Sequence, residues 1–513
     1  MRNKILLFLI LLLAAALRLW QLDQLPNILN RDEAALAYNA KLLLESGRDE
    51  WGQAWPLTFK SFGDYKLPGY IYSLTILFSF LPQQDWVVRL PSALAGVLLV
   101  VVVALFARRI LQLSTRAALF AALSVAVLPI FSFYSRIAFE ANVALTLLVT
   151  ALYLLFKDKP RDLCASVLLL GAIATYNTPL LLLPFLLPLL IWWRGWRRLR
   201  RWLPVVLMLL LIGTAAAWIL AGLQSQKSGI TIFSDQTLWQ EFAAVRADLS
   251  GWQQKVLGNQ YVFYLQLIWE RLWASLSPEF LLTRGGNHPW HSLPGFGHVF
   301  YLLYLLAAAM LIDIGGEIFF ALRERRLTTQ LRHHLLLLYL LIIGLAPSVV
   351  TVDSPHATRS LLFFVAVVLL AATFADRLLS VFKKHVTAIL FALLLILLCE
   401  AGNYFYTYFV QYPQQQPAVT WPAFKSQLRQ LEADHPAIPI AVVDPEGYHY
   451  IVAAWYLQLS SLDFFASIKH QAADHIGLHY GEQVGRYRFI AHPADRRSEE
   501  RLLLSPQAGI LEF

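Results

Sequence analysis

Residues 68–82, PGYIYSLTILFSFLP, decide how the rest of the chain is read. The stretch is apolar and almost long enough to cross a bilayer. Its core of about fourteen residues reaches only about 21 Å as an α-helix, against a hydrocarbon core of about 30 Å. If it crosses, Arg108 and Arg109 fall outside the cell and every later loop inverts. If it lies in the outer interface, the basic clusters all fall on one side. The surrounding composition makes this a question about a membrane protein. The 513 residues are 58% hydrophobic and 15% charged, with a mean hydropathy of +0.54. Soluble domains carry less apolar and more charged content, and α-helices are the usual way to span a bilayer.

Long apolar runs occupy roughly 5–20, 90–107, 117–133, 141–156, 163–176, 178–193, 203–222, 297–320, 335–351, 361–380 and 386–402. The fifth and sixth are short and read as a hairpin broken at Asn177-Thr178-Pro179. Basic clusters sit at alternate ends: Arg2/Lys4, Arg108/Arg109/Arg116, Lys157/Lys159/Arg161, RGWRRLRR (194–201), RERR (323–326) with Arg332, and Arg377/Lys383/Lys384. Placing them in the cytoplasm gives an N-in, C-out chain with eleven crossings. Residues 68–82 then form a helix in the outer interface, within one large outer loop, 21–89. A second outer loop, 223–296, carries another interfacial helix, YVFYLQLIWERLWASL (261–276).

The net charge of +9 therefore reports topology and implies no nucleic-acid partner. The sixteen Trp and twenty-one Tyr suit interfacial belts. Cys164 and Cys399, the two cysteines, lie in apolar runs and supply neither a disulfide framework nor a metal motif. The N-terminus begins like a signal peptide, lacks a small-x-small cleavage site, and reads as a retained first helix. The last hundred or so residues change character: WPAFKSQLRQLEADHP reads as a helix, IPIAVV and RYRFIA as strands. The expected fold is an all-α polytopic membrane protein of about eleven transmembrane helices, with interfacial helices and a small extracytoplasmic α/β C-terminal domain. The expected divisions are 1–222 (a catalytic module including loop 21–89), 223–402 (a second membrane module) and 403–513.

This topology gathers a set of polar residues at one surface. RDEAALAYNAKLLLESG (31–47) brings Asp32 and Glu33; GDYKLPGY brings Asp64 and Lys66. Arg89 starts the second crossing, and YSRIAFEAN brings Tyr134, Arg136 and Glu140. Glu279, Arg284, His288 and His291 follow in LSPEFLLTRGGNHPWH, and His356 and Arg359 in DSPHATRS. Each has a plainer reading. Asn30 caps a helix whose first turn favours Asp32 and Glu33, with Gly47 as its stop. Single arginines snorkel to headgroups, Glu140 pairs with Arg136 one turn earlier, and the histidines are solvated. The pair His288/His291 has no third ligand at fixed spacing, so no metal is expected. Lys66 is hardest to explain structurally, because it abuts an apolar helix start. As a set, carboxylates and cations at a lipid–water boundary suit a substrate with a greasy tail and a phosphate. Cations hold the phosphate, and a carboxylate takes a proton from an attacking hydroxyl. A sugar on a polyprenyl phosphate is such a substrate, and direct displacement inverts its anomeric carbon.

The ordered set Asp32-Glu33, DYKLPGY, RLPSALAGVLLVVVVALFARR, YSRIAFEANVALTLLVTALYLLF, LSPEFLLTRGGNHPWHSLPGFG and PHATRSLLFF, over about 30–380, resembles a known family. This is the bacterial branch of the protein O-mannosyltransferase and aminoarabinose-transferase superfamily, multi-spanning GT-C glycosyltransferases like those of glycosyltransferase family 39. The resemblance implies a polyprenyl-phosphate sugar donor, an acceptor hydroxyl on a protein, lipid or glycan, and a site on the non-cytoplasmic face of the inner (plasma) membrane. It implies Asp32 as the catalytic carboxylate, supported by Glu33. Lys66, Arg89, Arg136, His356 and Arg359 are implied at the donor phosphate, and Asp64, Tyr134, Glu140 and Glu279 as supporting residues. The family pattern has two prolines after the lysine; here it is Lys-Leu-Pro. The resemblance implies no cofactor and no metal. Two rivals remain: a lipid-linked sugar flippase, which would show inverted repeats with broken midplane helices, and a polysaccharide polymerase or ligase using a diphosphate carrier.

Overall fold

The computed structural model describes residues 2–504, apart from 62–63, 158, 160, 197–212, 214–230, 234, 287, 289, 417–420, 446 and 473–479. The chain forms two compact units that interleave along the sequence. One comprises Met1–Arg18, Leu94–Ser135 and Ala141–Tyr406; the other comprises Leu19–Ala93, Arg136–Glu140 and Thr407–Phe513.

The first unit is built from apolar helices. Among the described residues five helices are long and apolar enough to cross a membrane: Asp85–Arg109, Tyr301–Glu324, Thr329–Val349, Ala357–Val381 and Lys383–Gln414. The pair Thr115–Val127 and Pro129–Ser135, bent by 52°, makes a sixth if counted as one span. Glu140–Phe156, Asp162–Thr175 and Thr178–Arg194 are shorter apolar helices, and the N-terminus is a helix over Arg2–Leu19. The expected crossing at 203–222 lies outside the described residues.

The bend has an identifiable cause. Pro129 has no N–H to give the carbonyl of Val125, so the helix end leaves orphan acceptors. Arg18 fills them, donating through Nη2 to Val125 O (2.9 Å) and through Nη1 to Ala126 O (2.8 Å). Its Nε reaches Ser135 Oγ at 3.2 Å. Gly96 makes room, since a Cβ there would lie 2.0 Å from Ser135 Oγ and 2.7 Å from Arg18 Nε. In the same unit, Gln260–Leu276 is a helix. Its Tyr261, Leu265, Trp269 and Trp273, spaced one turn apart, form an exposed apolar stripe.

The second unit contains the helix Arg31–Ser46. Asn30 and Glu33 form a reciprocal capping box at its start, and Gly47 closes it in the left-handed conformation at φ +69°. Strands β1 (Phe59–Ser61) and β2 (Asp64–Lys66) pair antiparallel and lead into the helix Pro68–Phe78. At eleven residues that helix spans about 16 Å, too short to cross. The side chain of Asp64 lies outside the described residues. The C-terminal segment holds β3 (Ile440–Val443), β4 (Lys469–His470), β5 (Gly481–Val484), β6 (Tyr487–Ile490) and β7 (Arg501–Leu504), in the order β4-β5-β6-β3-β7. β3 runs parallel to β6 and β7, while the β4–β5 and β5–β6 pairs are antiparallel. The stretches IPIAVV and RYRFIA contain β3 and β6, and Phe424–Asp434 is helical. The helix His449–Tyr456 packs on Arg31–Ser46. Tyr38 donates to Leu459 O (3.1 Å) and Lys41 to Gln458 O (3.1 Å).

Candidate active site

The second unit brings Asp32, Glu33, Lys66, Arg89 and Arg136 into connected positions. Glu33 is buried and its four acceptor positions are filled. Oε1 accepts from Arg89 Nε (2.9 Å) and Ala138 N (2.8 Å). Oε2 accepts from Asn30 N (3.1 Å) and Arg89 Nη2 (3.4 Å). Arg89 is likewise saturated. Beyond Glu33, its Nη1 donates to Leu22 O (2.9 Å) and Pro26 O (2.7 Å), and its Nη2 to Ile28 O (2.9 Å). A buried charge is tolerated on such terms, paired and fully hydrogen-bonded.

These bonds bear on two expectations, Arg89 at the donor phosphate and Glu33 in support of Asp32. Arg89 has no N–H left for a lipid phosphate, because carbonyls and Glu33 engage all five. Glu33 has no oxygen left to take a proton from a substrate. Together they brace the turn 22–30 that leads into the capped helix. Arg136 braces the same turn. It is buried, and its Nε donates to Tyr408 Oη (3.0 Å) and its Nη2 to Gln21 O and Leu25 O (both 3.2 Å). Its guanidinium also lies 5.1 Å and 5.0 Å from the ring centres of Tyr408 and Phe409. A direct phosphate contact does not suit this enclosure.

Asp32 is different. Its side chain is 43% exposed, and Oδ1 lies 2.5 Å from the Nζ of Lys66, which is only 6% exposed. The hairpin β1–β2 carries Lys66 to this point, and the helix cap carries Asp32. One partner is thus a carboxylate open to substrate, the other a desolvated ammonium. Glu140 starts the helix Glu140–Phe156, half-buried.

The remaining expected residues lie in the first unit. Tyr134 is buried, with its hydroxyl 3.0 Å from Thr358 Oγ1, which is 3.3 Å from His291 Nε2. The rings of His288, His291 and His356 cluster, with centroids 4.8 to 6.4 Å apart. His356 Nε2 lies 3.4 Å from Asp353, which also pairs with Arg359. Burial first, then the charge of Arg359 and the neighbouring His288, push His356 down to about 3. Burial and the surrounding histidines likewise hold His291 well below the ordinary imidazole range. At neutral pH His291 and His356 carry no positive charge, and Asp353 offsets Arg359. Among the described residues no group of three or more His, Cys, Asp and Glu is arranged to hold a metal. Glu279 is on the surface, paired with Arg284 at 2.8 Å, a contact of small energetic weight.

Residues 66–220 match the family model described as dolichyl-phosphate-mannose-protein mannosyltransferase. The match includes Lys66, Arg89, Tyr134, Arg136 and Glu140. Among solved structures, ArnT from Cupriavidus metallidurans bound to undecaprenyl phosphate aligns at a TM-score of 0.50 and 14% identity, covering 88% of this chain and 84% of that one. The chain has the GT-C glycosyltransferase fold. The archaeal oligosaccharyltransferase AglB from Archaeoglobus fulgidus, in complex with an inhibitory peptide and a dolichol-phosphate, aligns at 0.49 and 14% identity. That alignment covers 89% of this chain and 64% of AglB. No curated protein matches by sequence. The matched family model is that of a mannosyltransferase, and the apolar helices of this GT-C fold are those of a membrane protein.

Several residues of the site left no local signal in the sequence. Tyr408 contacts Arg136 across 272 positions, and Tyr456 contacts Leu29 across 427. Arg31 lies over the Tyr448 ring at 5.0 Å. An aromatic residue in an otherwise unassigned C-terminal segment gives no hint of such a partner.

Proposed function

We propose that the protein moves a sugar from a polyprenyl-phosphate-linked donor to an acceptor hydroxyl, with inversion, on the non-cytoplasmic face of the plasma membrane. The observation that carries this reading is the pair of exposed Asp32 and buried Lys66 at 2.5 Å. Before donor binds, the ammonium is neutralised by Asp32. A donor phosphate competes for the same N–H groups and draws Lys66 away from Oδ1. Asp32 then accepts the proton of the acceptor hydroxyl as its oxygen attacks the anomeric carbon. The bond from that carbon to the phosphate oxygen breaks, and the polyprenyl phosphate leaves as an anion stabilised by Lys66. Arg89, Arg136 and Glu33 position this pair from behind. His356 and Arg359 rank below Lys66 as phosphate ligands, since one is neutral and the other is offset by Asp353.

The same reading places all eleven apolar runs across the membrane, with the N-terminus in the cytoplasm. The helices Pro68–Phe78 and Gln260–Leu276 then lie in the outer interface, and the C-terminal sheet lies outside. Exposed Trp and Tyr on Gln260–Leu276 suit that depth.

The test is to mix the purified protein with a panel of polyprenyl-phosphate sugars and envelope extract as acceptor, and to follow loss of sugar from the lipid. Consumption of one donor by wild type and not by Asp32→Asn supports the proposal. Consumption of diphosphate donors alone moves the protein to the polymerase or ligase class. No consumption of either sinks the transferase reading.

A further inference from the structure

The C-terminal segment, which no motif explains, touches the turn that carries the proposed base. Leu29 immediately precedes the cap residue Asn30, and its amide is buried. It donates to Tyr456 Oη at 2.7 Å. Tyr456 in turn donates to Asp85 Oδ2 at 3.2 Å. Asp85 is buried and held from the same segment, by Trp455 Nε1 at 2.8 Å and Lys425 Nζ at 2.6 Å. Burial, reinforced by Asp85, keeps the Tyr456 phenol well above the usual tyrosine range. It therefore stays protonated, able to accept from one side and donate to the other.

The far side of the turn is fixed independently. Its carbonyls at Leu22, Pro26 and Ile28 hold Arg89, and Arg89 holds Glu33. Tyr456 supplies the one bond described for the amide of Leu29. Without it a buried N–H has no acceptor at the residue leading into Asn30, Arg31 and Asp32. A base must hold its geometry to a fraction of an ångström, and about 1 Å of displacement costs about 100-fold in rate.

We infer that Tyr456, anchored by Asp85, is a positioning residue for Asp32, so that the C-terminal segment is part of the catalytic scaffold. This rests on the function proposed above. Lys66 reaches the site on β2, not on this turn, so donor binding is separable from base alignment.

The experiment is steady-state transfer by the full-length protein in nanodiscs, with the donor found active for wild type. The variants are Tyr456→Phe and Tyr38→Phe. Both remove one hydroxyl between the C-terminal segment and the first outer loop, but Tyr38 bonds Leu459 O, away from the turn. Tyr456→Phe is expected to lower kcat about 10- to 100-fold with donor KM within about twofold of wild type, and Tyr38→Phe to leave kcat unchanged. A purely structural role would lower melting temperature alike in both and spare kcat in the folded fraction. Should Tyr456→Phe fail to fold, Asp85→Asn leaves one side-chain oxygen, enough to accept from Tyr456 or Trp455 but not from both, and so loosens the anchor. Its expected signature is a smaller fall in kcat, again at constant donor KM. Wild-type kcat in Tyr456→Phe, or in Asp85→Asn where that stands in, overturns the inference alone. Absence of donor turnover in wild type overturns the proposed function and this inference with it.

Discussion

Two polar regions carry the residues expected to act, and they are built on opposite principles. In the second unit, Glu33 and Arg89 are buried as ions, each fully engaged with protein. In the first unit, buried His291 and half-buried His356 are neutral rings, held down first by desolvation, then by His356 in the one case and by Arg359 in the other. The ionic region leaves one carboxylate exposed, Asp32, next to one desolvated lysine. In the imidazole region His291 and His356 are neutral and Arg359 is paired with Asp353. Burial is tolerated in both, through pairing in one case and neutralisation in the other. In the ionic region a buried cation and a carboxylate open to substrate stand side by side, Lys66 and Asp32.

The sharpest way to break this contrast is Asp32→Asn. If the base is in the ionic region, transfer falls by about 10²- to 10⁴-fold, while thermal unfolding stays near wild type because Asn still accepts from Lys66. The check is sugar loss from the donor alongside a melting curve. Comparable activity in the variant returns the chemistry to some other group.

Arg89→Met tests the bracing role next. Met leaves Glu33 buried without its cation, which costs about 3–5 kcal/mol, read as a lowered midpoint in denaturant. The double variant Arg89→Met/Glu33→Leu removes both charges but also the partners of Leu22, Pro26 and Ile28 O and of Asn30 and Ala138 N, so it is expected to recover only part of that loss. An Arg89→Met protein as stable as wild type, with donor KM sharply raised, would restore Arg89 to the phosphate.

What the sequence disclosed follows the same divide. Asn30, Asp32, Glu33 and Gly47 announced a capped helix because capping is local chemistry within one turn, and that helix is present. The apolar runs announced helices because bilayer depth imposes a length. The distinction between Asp32 and Glu33 was not legible, because adjacent residues on a helix face different directions and only tertiary contacts say which is enclosed. Nor was the engagement of Arg89, whose acceptors are backbone carbonyls at 22, 26 and 28. Every residue offers a carbonyl, so no side-chain pattern marks them. The resemblance put His356 at the donor phosphate; that its ring packs against His288 and His291 could not be read from PHATRS.

Glu50 sharpens the contrast from within the second unit. It is fully buried like Glu33, but its described partners are neutral: its amide takes Asn39 Oδ1 at 2.9 Å, and Tyr450 donates to Oε2 at 3.3 Å. Burial first, then the neighbouring Asp49, push its carboxyl up to about 7, against lowering by Ser61, Asn39 and Tyr450. A carboxyl whose folded pKa lies above its unfolded one favours the fold when protonated. That stability is complete below about 4.5 and is lost as pH rises toward 7. Glu50→Gln is expected to remove the loss, raising stability at neutral pH by up to about 3 kcal/mol, with little change in acid. Denaturant midpoints at pH 5 and pH 8 read the difference. An equal effect at both would place Glu50 as an ion.

The imidazole region predicts the reverse slope and the smallest effects on transfer. His291 and His356 have folded pKa values below the ordinary one, so the fold favours their neutral forms. Their contribution is complete above about 6.5 and is lost as pH falls toward 3. Hydrogen exchange resolved by peptide is expected to show 288–300 and 350–360 loosening as pH drops from 7 to 5. Over the same interval the peptides around Glu50 tighten. Because the rings are neutral at the working pH, His356→Gln is expected to change donor KM less than threefold. Arg359→Gln, whose charge Asp353 already offsets, is expected to change it by about as little. A tenfold rise in donor KM for either would mean that the cluster meets the phosphate after all. The two regions would then share the task that the contrast assigns to Lys66.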